Sequence, residues 1–92
     1  MSIDLDKEID RGRQAQDIIE SPIFQGAFES ISDGLYSAWD NTLPEEVDRR
    51  EECWRTLKLL GTLKRELSQH MVTGKMARQQ KESDEQNMGI LE

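Results

Sequence analysis

The chain has 92 residues, with 19 acidic side chains against 12 basic ones, a formal charge of −7 and a hydrophobic content of only 35%. A chain this short buries about 60–65% of its unfolded surface. The composition therefore suits amphipathic helices that finish covering their apolar faces against one another or a partner better than it suits a thick globular core. No apolar run approaches the roughly 18 residues that a membrane span needs. The opening MSIDLDKEID lacks the apolar stretch of a signal peptide. One cysteine, Cys53, leaves no partner for an intrachain disulfide and no cysteine-rich zinc site. The acidic balance argues against direct nucleic-acid binding, which relies on clustered Lys and Arg.

Charge is unevenly spread. Residues 1–40 carry nine acids and three bases, residues 41–74 six of each, and residues 75–92 four acids and three bases. Residues 4–20 read as a short polar helix with a thin stripe of Leu5, Ile9, Ala15, Ile18 and Ile19. Acids crowd its first turns, where the helix dipole favours them, and Gly12 weakens its middle by about 1 kcal/mol relative to alanine.

Ser21-Pro22 is a start signal, because a serine cap is followed by a residue whose missing N–H has no intrahelical partner at that position. Phe24, Phe28, Ile31, Leu35 and Trp39 follow at spacings of 4, 3, 4 and 4, predicting an amphipathic helix over 22–40. Asn41–Pro44 is the next break. Thr42 and Glu45 have capping-box spacing, and Pro44 falls in the expected first turn.

A long helix is predicted over 44–73, stopped by Gly74 as its C-terminal cap. Glu45–Arg49, Glu46–Arg50 and Glu51–Arg55 have the spacing of supporting ion pairs. Val47, Trp54, Leu57, Leu60, Leu67 and Met71 form a slowly drifting, coiled-coil-like stripe. Lys64 interrupts it, either setting register or oligomer state or extending its stem along a shallow seam. From Lys75 on the text is polar without an apolar period, so residues 75–92 read as a flexible tail, ending in a small apolar cluster of Met88, Ile90 and Leu91. The fold expected is all-α: a short N-terminal helix plus a long antiparallel helical hairpin in a domain of residues 1–74, with the tail at 75–92.

The chain offers little for catalysis or metal binding. Cys53 and His70 are separated by seventeen residues of one predicted helix, about 25 Å, so they cannot act together. Asp4, Asp6, Glu8 and Asp10 alternate without the glycine and closing glutamate of a calcium loop, and alternate helical residues face different ways. No catalytic, cofactor-binding or metal-ligating residue is expected. Lys58, Lys64, Arg65, Lys75, Arg78 and Lys81 are basic but dispersed, and read as a solvated helix face. The aromatics Phe24, Phe28, Trp39 and Trp54 all lie on apolar faces. They read as a core in which Trp54 meets Trp39 across the turn, or else one tryptophan stays exposed as a binding anchor.

The segments IIESPIFQGAFESISDGLYSAW, RREECWRTLKLLGTLKREL and GKMA carry a further pattern. An Ile precedes x-x-Pro, an Ala-Phe pair follows, a Trp sits near a helix end, an Arg-Glu comes before an aromatic, and Gly-Lys-x-Ala closes the region. Between Arg13 and Ala77, about two-thirds of the chain, this resembles a group of small, largely uncharacterised tailed-bacteriophage helical proteins. The resemblance implies a phage origin and an all-helical fold, and transfers no catalytic residue.

A non-enzymatic assembly module follows as the functional expectation. It is homo-oligomeric, bridges larger virion or packaging components, and resides in the host cytoplasm during infection or in the virion. The expected protein interface is Trp54, Leu57, Leu60, Lys64, Leu67, Met71, Ile90 and Leu91, because two helices cannot enclose that stripe on every side. The first helix is the other candidate to cover the end of the longer one. The alternative is an acidic regulatory binder that occupies a basic surface of a nucleic-acid enzyme.

Overall fold

The computed structural model describes the backbone of residues 4–91 and the side chains of residues 4–87. It is all-helical, with no strand among the described residues: α1 is Leu5–Glu20, α2 is Pro22–Asp40 and α3 is Val47–Leu91. Packing divides the chain into two compact units, one of Met1–Ile19 with Glu66–Glu92 and the other of Glu20–Arg65. We call them the terminal unit and the central unit.

The first two helices begin where their caps dictate. The Asp4 carboxylate accepts the backbone N–H of Lys7 at 3.2 Å, and the Ser21 hydroxyl accepts that of Phe24 at 3.5 Å, with Pro22 opening α2. The connection to α3 is longer than its sequence reading, since α3 begins at Val47, three residues after the expected start at 44. Thr42 donates its hydroxyl back to the carbonyl of Trp39 at 2.8 Å, so it finishes α2. Glu46 takes the capping role at the start of α3 and accepts the Leu43 N–H at 2.9 Å. Arg50 donates to the carbonyls of Leu43 at 2.6 Å and Pro44 at 3.0 Å, which leaves Pro44 in the loop and not in a helical turn. Of the predicted ion pairs only Glu51–Arg55 forms, at 3.1 Å; Glu46 turns to Arg49 at 3.4 Å because Arg50 is engaged by the loop.

The largest correction concerns the end of the long helix. Gly74 does not stop it, and residues 75–87, predicted to be a flexible tail, continue α3. The physical reason lies in the terminal unit. A Cβ placed on Gly12 would lie 2.9 Å from the Cα of Gly74, and one on Gly74 would lie 2.8 Å from the Cα of Gly12 and 3.0 Å from the carbonyl oxygen of Glu8. Both glycines keep helical backbone with negative φ, so they serve close approach of α1 to α3, not chain reversal. Ala15 and Ala77 are buried in the same unit, and Lys81 donates to Asp6 at 2.6 Å. Small residues and one ion pair thus supply the cover that a search for large apolar side chains does not find.

The central unit packs larger side chains. Phe24, Phe28, Leu35 and Ala38 of α2, and Leu57 and Leu60 of α3, are half-buried, while Cys53 is buried. The Phe24 and Phe28 rings lie 6.0 Å apart, and the Lys64 ammonium stands over the Phe28 ring at 5.4 Å. No large side chain among the described residues is fully buried.

Candidate protein interface

The strongest candidate site lies in the central unit, where α2 ends and α3 begins. Trp39, Arg50, Glu51, Trp54 and Arg55 line an open groove of about 410 Å³. Trp39 is 47% exposed and Trp54 57%. The core role expected for the tryptophans is therefore wrong. They share one groove, and both stay about half exposed in it. Lys58 places its ammonium 5.2 Å from the Trp54 ring centre, a cation–π contact that keeps the indole dressed at the surface. Leu43 and Val47 are exposed nearby in sequence.

Glu46 titrates below its ordinary value. The N–H of Leu43 held by its carboxylate is the first cause, partial desolvation opposes it, and Arg49 and Arg50 reinforce the lowering. The guanidinium of Arg55 is held by Glu51 at the groove wall. The groove offers flat aromatic faces for apolar contact and guanidinium groups for carboxylates.

The predicted interface residues fall in different places. Leu57 and Leu60 are half-buried in the central unit, and Lys64 is exposed against Phe28. Leu67 and Met71 are half-buried in the terminal unit, where Leu67 shares a groove with Ala15 and Ile18, and Met71 one with Ile9 and Gly12. Helix α1 thus covers the part of the stripe that the sequence left open. Ile90 and Leu91 have side chains outside the described residues. Ile31, expected on the packed stripe of α2, is exposed, and so are four apolar residues of the central unit outside the predicted stripes, Ile23, Tyr36, Leu59 and Leu63. The signal for these four was present, since they fall off the stripe that predicts each helix.

A groove lined by Asp6, Ile9, Asp10, Arg13, Arg78, Lys81, Glu82 and Glu85 mixes both signs of charge. Lys81 titrates above its ordinary value because it is hydrogen-bonded and electrostatically paired to Asp6. Among the described residues no three of His, Cys, Asp and Glu are grouped to hold a metal ion, and no helix is long and apolar enough to cross a membrane. No family model, no curated protein and no solved structure matches the chain.

Proposed function

We propose that the chain is a non-enzymatic helical interaction module that self-associates and bridges larger components, a phage assembly or packaging part by its resemblance between Arg13 and Ala77. One observation carries the self-association. The chain presents 7518 Å² to solvent, whereas a folded monomer of 10.7 kDa is expected to present about 5,500 Å². The surplus, about 2,000 Å², exceeds the roughly 800 Å² that each partner contributes to a standard interface. The exposed tryptophans supply the kind of anchor such interfaces favour.

Within each unit we read the helices as antiparallel neighbours. The support is that numbers rise on one side as they fall on the other. Asp6 meets Lys81 and Gly12 meets Gly74; Phe28 meets Lys64, and Trp39 shares a groove with Trp54. The central unit is then a helical hairpin.

Sedimentation equilibrium of the intact chain at micromolar concentration tests the reading. A defined oligomer supports it, and a 10.7 kDa monomer rejects it. A second reading, an acidic binder of a basic enzyme surface, is favoured by Glu29, Asp33 and Asp40, which are exposed and make no ion pair among the described residues. A monomer that binds such an enzyme one-to-one, with steep salt dependence, selects that reading instead.

A further inference from the structure

The central unit carries two stripes of opposite charge that are not used within the chain. On α2, Glu29, Asp33, Tyr36 and Asp40 recur at spacings of 4, 3 and 4, and all are exposed. This helix holds three acids and no base. On α3, Glu51, Trp54, Lys58 and Arg65 recur at 3, 4 and 7, also exposed, with Glu51 already paired to Arg55, and residues 47–65 hold six bases against three acids. Among the described residues no ion pair joins Glu29, Asp33 or Asp40 to any base, or Arg65 to any acid, and Lys58 contacts the Trp54 ring. The Trp39–Trp54 groove lies where the two helices border each other, with Asp40 following Trp39 and Lys58 one turn beyond Trp54.

A surface that is acidic along one helix and basic along its neighbour is complementary to itself. An isologous interface presents the same patch from both sides, so a twofold axis running along the helices lays the acidic helix of each copy on the basic helix of the other. We propose that the chain forms a symmetric dimer in which α2 of one protomer packs on the first half of α3 of its partner, with Trp39, Trp54 and Tyr36 of both copies enclosed between them. This rests on the self-association proposed above and specifies its face. Such an axis leaves heights along the helices unchanged. Since Phe28 stands level with Lys64, Asp33 comes level with the partner's Lys58, and Glu29 comes near the partner's Arg65. The surplus of exposed area is ample for the roughly 800 Å² that each copy gives up. Opposed local charges also explain how two chains of charge −7 can meet.

Charge reversal tests the pairing. One variant carries Glu29→Lys and Asp33→Lys, the other Lys58→Glu and Arg65→Glu, both at exposed positions where helical circular dichroism reports an intact fold. Each variant alone should dimerise at least about tenfold more weakly than the unaltered chain, because like charges then face each other. An equimolar mixture should recover the dimer, since both contacts of the mixed pair regain opposite signs. Two folded variants that stay dimeric alone, or that stay monomeric when mixed, overturn the proposal. A monomeric unaltered chain would instead remove self-association itself. Should either variant fail to fold, the unaltered dimer still decides. Its dissociation constant should rise severalfold between about 50 and 500 mM salt, and a salt-independent constant overturns the pairing.

Discussion

The two units solve the same problem, covering a helix in a short chain, with different side chains at their main contacts. The terminal unit brings α1 to α3 through Gly12, Ala15, Gly74 and Ala77, four small residues that are all buried. The central unit uses Phe24, Phe28, Leu35, Leu57 and Leu60, none of which is fully buried. Small side chains let two backbones approach until little solvent reaches the seam. Large side chains hold two helices apart and need a third or fourth surface to close over them. The contrast teaches that apolar bulk is a poor guide to where this chain is tightly packed.

The sharpest way to break the comparison is to add one methyl group to each unit. Gly12→Ala and Gly74→Ala should each destabilise by about 1–3 kcal/mol, the usual cost of overpacking, since the new Cβ would press on backbone at 2.8–3.0 Å. Urea midpoints measure this, and a gain in stability would show that the helices separate freely. The same methyl at Gly34 or Gly61 meets nothing within 4 Å. It should raise stability by about 0.5–1 kcal/mol through helix propensity alone. A loss there would reveal a contact that the structure does not contain.

Trp54→Ala should cost the dilute protein less than about 1 kcal/mol, as expected for an exposed side chain, where a core tryptophan would cost about 3–5 kcal/mol. A melting curve at low concentration separates the two. The smallest effect sharpens the loop between α2 and α3. Glu46 titrates below its ordinary value in the folded state. Its contribution is therefore present above the unfolded value and lost as pH falls through the lowered folded value. Glu46→Gln should flatten the decline in melting temperature over the acid range, and an unchanged decline would show that other carboxylates carry it.

Where the chain states its punctuation in residue chemistry, the fold was legible. Ser21-Pro22 starts α2 where expected, and α1 follows its acidic first turn and thin stripe. The loop was expected over Asn41–Pro44 but runs to Glu46 with a different cap, because Arg50 reaches back six and seven residues to two carbonyls and no local spacing rule contains that reach. Gly74 was misread because an isolated glycine has two physical uses, reversal and close approach, and only the position of Gly12 in space decides between them. Of the residues expected at an interface, Trp54 is exposed. Leu67 and Met71 were not separable from it, since one helical stripe serves the central unit over its first part and the terminal unit over its second.

Cys53 is the only thiol of the chain and is 8% exposed. A reagent specific for thiolates therefore meets nothing else and must wait for the central unit to open. The rate at which the native protein is alkylated is accordingly a clock for that opening. Read with and without a bound copy or partner, it would time how long the half-covered aromatic seam stays shut, with no label introduced and no residue changed.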